Sequence, residues 1–579
     1  MNNKLYRTMK KYIYIFGKRC LLFAILPILM LSSCSKDVLK ETALDFLSTG
    51  NAYNTVSGIK QGINGLYTKV RYDWYTENGG QHEISINLGG LGTDIAFHGE
   101  DPNATGFLCN YATYLTPANT NMAHFWSYSY EIIQEANALI KGINAADAGI
   151  WTDDAQKKAY LAEAMFFRAY AYRILVSYYG DVPLVIEVIN TAKTDFVRAP
   201  KADIYKQMEE DLTFAAANLP TRGKEEASGR ITQAAALHLL SELYITEAKY
   251  QEAVDAASKV IDGAGYALMT NRFGSTVDVF GSGDVFLDLF AYGNQNLAEN
   301  TETIWAIQFE PLITGGASFP GERAWGPAYF RMGNTPDGFK AFRGELYNGA
   351  YTGYSDSIGR PVSWIHPTNY AAYDIWRSDW NNDIRNAKHN IKRDFYYDNP
   401  GSAYDKKKID FSLYPAGSRD AIKDTCQYIY PFFMKHADPC HHFTDLGRSG
   451  GGANHKDVYA IRLAETILLR AEAYVDLGKK DLAAADINLI RKRAHATPID
   501  ASKADLDYVL DERARELYGE EFRHITLRRM GKLIERVRKY NNNPKNPGLN
   551  IQDYNVLFPI PQSQIDLNID AVIEQNPGY

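Results

Sequence analysis

Glu512 and Glu516 lie four residues apart, which places two carboxylates on one helix face. Two such groups held together are what general acid–base chemistry needs. Arg513 and Arg523 are interleaved with them, so the same spacing serves pairing between helices, and the arginines favour that reading. Asp379, Asn381 and Asp383 copy the first three ligand positions of a calcium loop. Ile384 stands where that loop requires glycine, and Asn390 where it requires a bidentate glutamate. His436, Cys440, His441 and His442 carry metal-ligating atoms, yet adjacent histidines seldom converge on one ion, and a polar loop is the simpler reading. The sequence has no Walker loop, nucleophile elbow, HExxH helix or dinucleotide fingerprint. These residues describe a binding protein, not an enzyme, with neither metal nor cofactor expected.

Cys34 is the residue with the clearest covalent chemistry. Lys4, Arg7, Lys10, Lys11, Lys18 and Arg19 precede an apolar run from Leu21 to Leu31, and Ser32-Ser33-Cys34 closes it. A basic stretch, a short apolar run and small residues before a cysteine read as a secretory signal ending in a lipobox. The run is about half the ~20 residues of a spanning helix, and Pro27 interrupts it. Cleavage before Cys34 and acylation of its sulfur are expected, with membrane attachment through several acyl chains. Ser35 to Thr49 then reads as a tether.

The net charge of −7 and the lack of a basic stripe after the signal argue against a nucleic-acid partner. Hydrophobic residues make up 45% of the chain, enough for a packed core without a second membrane-length run. Beyond Cys20 and Cys34, only Cys109, Cys426 and Cys440 are left, so one disulfide is the maximum. A Cys426–Cys440 bridge is one option in an oxidising compartment. The 40 tyrosines stand out: on a surface they suit flat polar ligands, in a core they pack with the hydroxyl at a wet edge.

Helical periodicity organises the rest. Val56, Ile59, Ile63, Leu66, Tyr67 and Val70 repeat at helical spacing, and the pattern returns at Phe125–Ile143, Asp153–Tyr179 and Asp203–Leu219. Gly180 and Pro183 mark a stop. Thr232–Ala248 with Tyr250–Gly263, and Val458–Asp476 with Asp481–Ala494, read as two helical hairpins. In both, small and large residues alternate as in a tetratricopeptide unit. The expected fold is mainly α, paired tetratricopeptide-like hairpins carrying a loop-rich, partly β face. Between the hairpins, Leu268 to His455 is rich in Gly, Tyr, Asn and Trp, and loops of that length are usually functional. Thr303 to Phe309 is its one plausible strand, with Trp305 in the core.

Several segments together resemble the SusD/RagB family. Leu161-Ala162-Glu163-Ala164-Met165-Phe166-Phe167-Arg168-Ala169-Tyr170, followed by Tyr179-Gly180-Asp181-Val182-Pro183-Leu184, is similar to its N-terminal signature. Asp203-Ile204-Tyr205 with Glu210-Asp211-Leu212, Leu468-Leu469-Arg470-Ala471-Glu472-Ala473, and Glu512-Arg513 with Glu520-Glu521-Phe522-Arg523 fit later motifs. Phe558-Pro559-Ile560-Pro561 and the closing Gln575-Asn576-Pro577-Gly578-Tyr579 are the most specific. The resemblance implies a lipid-anchored, outer-membrane lipoprotein facing the cell exterior. It implies capture of oligosaccharides, or of peptides in some branches, as the lid of a SusC-like TonB-dependent transporter. A surface hydrolase or a ligand-free cap is the less favoured alternative. The implied division is 1–33 signal, 34–50 lipidated tether, 51–265 N-terminal helical region and 266–579 C-terminal region.

A pyranose offers apolar C–H patches to aromatic rings and hydroxyls to Asn, Asp or Arg. The family's regional pattern points to the loop after the first helix and to the central region. The first supplies Arg71, Asp73, Trp74, Asp94, Phe97 and His98; the second supplies Trp325, Tyr329 and Phe330. Trp364, Tyr370, Tyr373, Trp376 and Trp380 form a further aromatic cluster.

Overall fold

The computed structural model describes residues 52–76, 88–100, 108–263, 265–275, 282–347, 349–355, 357–438 and 454–579. Cys34, the signal and tether, and the Cys440, His441 and His442 group lie outside them, and so does a Cys426–Cys440 pairing.

Helix α1 (Val56–Val70) is capped by Thr55, whose side chain accepts from Gly58 N, and buries Ile59, Ile63, Leu66 and Val70. It runs on into a π-helical turn, Arg71–Tyr75, which swings Asp73, Trp74 and Tyr75 inward. Helices α2 (Thr120–Ala145) and α3 (Asp154–Tyr179) pack as an antiparallel pair. The first begins earlier than its apolar pattern because Asn119 caps it. Helix α3 is buried on nearly all sides between α2 and α4 (Lys201–Asn218). It stops at Gly180, whose φ of 72° suits a residue without Cβ.

The two expected hairpins form, and their turns have the same geometry. Helices α5 (Gln233–Thr246) and α6 (Tyr250–Ile261) are joined through Ala248 at φ 58°, with Lys249 N donating to Tyr244 O at 2.8 Å. Helices α7 (Leu463–Asp476) and α8 (Lys480–Arg493) are joined through Gly478 at φ 71°, with Lys479 N donating to Tyr474 O at 2.8 Å. Helix α7 packs on both α5 and α6, so the second hairpin stacks on the first across the long central insertion. The main apolar cluster accordingly runs from Ile59 to Ile573.

Val458–Arg462, expected as the start of a helix, is instead a strand. It pairs antiparallel with Thr303–Ile307, and its β-branched and aromatic residues suit that surface. The stretch between α1 and α2 is tied to the central region by a second small sheet, Ala96–His98 against Ile365–Pro367.

Where the central region meets two later helices, α9 (Leu506–Glu516) and α10 (Arg523–Arg529), charges are buried in quantity. Glu516 accepts from Arg385 at 2.9 Å, from Arg462 at 2.6 Å, and from Arg493. Glu512 accepts from Arg491 and Arg515 at 3.0 Å and forms an ion pair with Arg385 at 2.9 Å. Glu302 bridges Arg462 and Arg493 at 2.9 and 2.7 Å. The carboxylate pair is thus an ion-pair node. Three guanidiniums hold Glu512 down to about 2 against desolvation, far from the value a general acid needs. Glu163 and Arg168 are likewise paired, with Arg230 and Asp211.

Candidate ligand-binding face

The structure separates the nine expected contact residues sharply. Trp74 is 0% exposed and packs on the Tyr170 ring at 4.9 Å. Asp73 is buried and pairs with Lys69 at 3.0 Å. Asp94 is buried and takes both nitrogens of Arg523 at 2.7 and 2.9 Å, plus Arg536 at 2.8 Å. Phe97 stacks on His366 at 4.6 Å and Trp325 on His436 at 5.0 Å, both buried. Tyr329 is buried, donating to Gly359 O at 2.9 Å. In this structure these six are scaffold: large rings bury most area in a core, and Asp94 is committed to two guanidiniums. Arg71 is half-buried, donating to Gln308 O at 3.2 Å and Gly315 O at 2.6 Å. Only His98 and Phe330 keep part of their surface on the loop-rich face.

Those two regions nevertheless converge. Arg331 reaches back to Glu100 at 2.9 Å, and Gly99 N donates to Trp364 O at 3.1 Å. The Phe330 ring stands 5.8 Å from Tyr354. The guanidiniums of Arg331 and Arg360 each lie 5.7 Å from the Phe330 ring centre. Beside them a hairpin, Leu346–Tyr347 against Ala350–Tyr351, carries Tyr351, 49% exposed and covered by Arg343 at 4.2 Å. Tyr329 braces the loop from beneath, its hydroxyl accepting from Ser355 N at 2.8 Å. Desolvation raises the Tyr354 hydroxyl above its usual value while Arg360 opposes it, so it stays a neutral donor and acceptor.

Arg360 makes no ion pair among the described residues. The face therefore combines ring surfaces, a phenolic hydroxyl and an uncommitted guanidinium. Tyr354, Arg331, Arg343, Tyr351 and Arg360 were missed in the sequence. The signal for four of them was Tyr347, Tyr351 and Tyr354 flanked by Arg343 and Arg360 in a glycine-rich stretch; Arg331 lies outside it.

The remaining aromatic cluster divides as well. Trp364, Tyr370 and Trp376 are buried, whereas Tyr373 and Trp380 are exposed, with Arg393 at 5.7 and 4.6 Å from their rings. The calcium-like residues are spent elsewhere: Asp379 on Arg491 and Thr497, Asp383 on Arg385. His238, Glu242 and Glu465 also gather ligand atoms. Glu242 is bidentate to Arg173 at 2.7 Å and Glu465 accepts from Arg513 at 2.8 Å. A divalent cation there would meet guanidiniums, so the donor set does not fit a metal.

The SusD family model matches residues 301–579. A second model, described as starch-binding associating with outer membrane, matches residues 91–245. The two models place a likeness to the SusD family on residues 91–245 and 301–579. SusD-like protein P25 of Formosa agariphila is 24% identical over 96% of this chain and 99% of its own length. Among solved structures, a SusD homolog from Bacteroides thetaiotaomicron aligns with a TM-score of 0.68 and 20% identity, over 92% of this chain and 98% of its own. Surface glycan-binding protein A of Bacteroides thetaiotaomicron, in complex with laminarihexaose, aligns at 0.64 and 18%, over 90% and 99%. At these identities the structural likeness establishes the fold, and the mainly helical SusD-like architecture is that fold.

Proposed function

We propose that this chain is a glycan-binding lipoprotein of the outer membrane. It captures oligosaccharides at the cell surface through the face built on Phe330, Tyr354 and Arg360. The observation that carries the reading is that pair of rings beside a guanidinium with no ion pair among the described residues. Sugar rings stack on aromatic surfaces through C–H groups, and a guanidinium bonds hydroxyl pairs. The SusD-like relatives that bind laminarin or laminarihexaose support a carbohydrate ligand. The description of the second family model supports outer-membrane association, and the lipobox at Cys34 supplies the anchor. Delivery to a SusC-like TonB-dependent transporter is the finer part of this reading, and the likeness to the SusD family supports it. A ligand touching both lid and barrel would stabilise closure, and the tether would keep the lid near its barrel.

The test is calorimetric titration of the full chain in detergent with neutral oligosaccharides, laminarihexaose first, and with peptides. Saturable glycan binding, weakened about tenfold or more by Phe330→Ala, is expected; tenfold corresponds to ~1.4 kcal/mol. Binding of peptides alone, or glycan binding indifferent to Phe330→Ala, would overturn the reading.

A further inference from the structure

A groove along α2 takes no part in the aromatic face. It encloses about 630 Å³ between α2, the 183–196 stretch and the helical turn Gln562–Leu567. Tyr130, Val185, Ile189 and Phe196 line it half-buried, and Leu567 lies at its edge, 67% exposed. Ile569 and Val572, 78% and 79% exposed, continue the apolar surface along the same C-terminal stretch. An exposed apolar patch of this kind marks an interaction site.

The polar groups of the walls are spent on holding the walls. The Tyr130 hydroxyl donates to Pro183 O at 2.7 Å. Gln134 clamps Ile189, donating to its carbonyl at 3.1 Å and accepting from its N–H at 3.2 Å. On the far side Asn568 accepts from Phe196 N at 2.7 Å and donates to Phe196 O at 2.9 Å. Glu131 is paired with Lys69 at 2.5 Å, and Lys193 with Asp195. The groove is therefore formed in advance, and it offers an occupant mostly aliphatic and aromatic surface. Apolar side chains suit that offer better than a sugar, whose hydroxyls need partners.

The described chain starts at one end of this groove. A Cβ at Gly142 would meet Tyr53 Cβ at 2.6 Å, and one at Gly62 would meet its ring at 2.7 Å, so the two glycines let Tyr53 lie between α1 and α2. Burial first, and the Glu135 charge second, push the Tyr53 hydroxyl above its usual value. The ring thus lies towards Glu135, which lines the groove. Ser127, Glu131, Glu135, Ala138 and Gly142 share one face of α2. From Gly142 to Glu135 the helix rises about 10 Å. The polar run Ser48-Thr49-Gly50-Asn51 spans up to about 13 Å when extended. Leu44, Phe46 and Leu47 stand immediately ahead of it, at the distance of the groove.

We propose that this groove is the seat of the chain's own N-terminal segment, with Leu44, Phe46 and Leu47 covering its apolar floor. Docking moves the point where the tether leaves the fold from Ala52 to the groove, so that Cys34 to Ala43 alone separates lipid from protein. The α2 side is then held close to the membrane, and the swing of the molecule about its anchor is shortened. That consequence rests on the lipoprotein reading, while the docking stands without it.

The experiment places benzoylphenylalanine at position 46 in intact cells producing the full chain, irradiates them, and maps the cross-linked peptides. Two variants accompany it. Leu567→Asp puts a charge on the exposed edge, and Ser127→Trp fills the groove from a half-buried position whose side chain makes no described hydrogen bond. Cross-links within one chain to residues 126–135, 183–196 or 564–573 are expected, reduced about fivefold or more by each variant. In the purified chain carrying the native Phe46, chymotrypsin should cut after Phe46 at least tenfold faster in each variant than in the parent. Cross-links between two chains, to lipid alone or to other parts of the fold would overturn the inference, and so would equal cleavage in all three proteins. The intact mass separates the two readings. An unacylated chain that still cross-links keeps the docking and removes the anchor, whereas an acylated chain without the cross-link keeps the anchor and removes the docking.

Discussion

The ion-pair network around Glu516 and the aromatic face around Phe330 are built from overlapping residue types, and they differ in what those side chains have left over. In the network, Glu302, Glu512 and Glu516 are fully buried and each accepts from at least two guanidiniums. Desolvating those charges is costly, and partners on every side offset the cost. At the face, Phe330 and Tyr354 are half-covered, and among the described residues Arg360 has no acid paired with it. Residual valence of that kind is what a ligand meets. A side chain's partners, not its type, decide whether it holds the fold or binds.

The largest effect expected from this contrast is on stability. Glu516→Gln keeps the volume but leaves Arg385, Arg462 and Arg493 short of a shared charge. Breaking a buried pair by removing one partner costs about 3–5 kcal/mol. Urea unfolding should show that loss, with Phe330→Ala changing stability by less than about 1 kcal/mol. Comparable losses from the two would erase the distinction between network and face.

Acid should find the network next. Asp94 and Glu512 are both lowered to about 2, against burial, by arginines around them. A carboxylate depressed in the folded chain stabilises it fully above the unfolded value of about 4, and that stability is lost as pH falls towards about 2. His238 and His524, held to about 3 mainly by burial, work in the same direction, because the unfolded chain takes up their protons first. Asp457 and Asp476, raised to about 6 mainly by desolvation, work the other way, and their change is complete near pH 4. The histidine part is lost between pH ~6.5 and ~3, and the carboxylate part between pH ~4 and ~2, where stability should fall by about 3 kcal/mol for each depressed carboxylate. Urea midpoints across that range check it: Asp94→Asn should flatten the slope, and an unchanged slope would mean Asp94 is not a stabilising node.

The same contrast explains what was legible before the structure. The hairpins showed because a helix that buries one face must repeat its apolar residues, as Ile59, Ile63 and Leu66 do. The family motifs were legible for a related reason. Glu512, Arg513, Glu516 and Arg523 pair with one another's neighbours across elements, so their types are fixed by a network rather than by solvent. Val458–Arg462 misled because its apolar content suits helix and strand alike, and only pairing with Thr303–Ile307 decides. The binding face showed least. Trp74, Trp325 and Phe330 are all aromatic residues in loop-rich stretches, and only packing sorts the first two inward and the third outward. Arg360 has no spacing rule at all; its significance is a missing partner, which a sequence does not display.

The smallest effect is the most discriminating. Arg331 and Arg360 approach the Phe330 ring at the same 5.7 Å, and they differ in that Arg331 is bonded to Glu100. If leftover valence is what binds, the two arginines are unequal despite equal geometry. Arg360→Met keeps the apolar stem over the ring and removes the charge. It should weaken glycan binding two- to fivefold, ~0.5–1 kcal/mol, the range of an exposed cation over an aromatic face. Arg331→Met should cost less affinity, because it removes a guanidinium already spent on a carboxylate. Calorimetric titration of both variants with the same oligosaccharide decides the order. A larger loss in Arg331→Met would show that the Glu100 pair, not the free cation, organises this face.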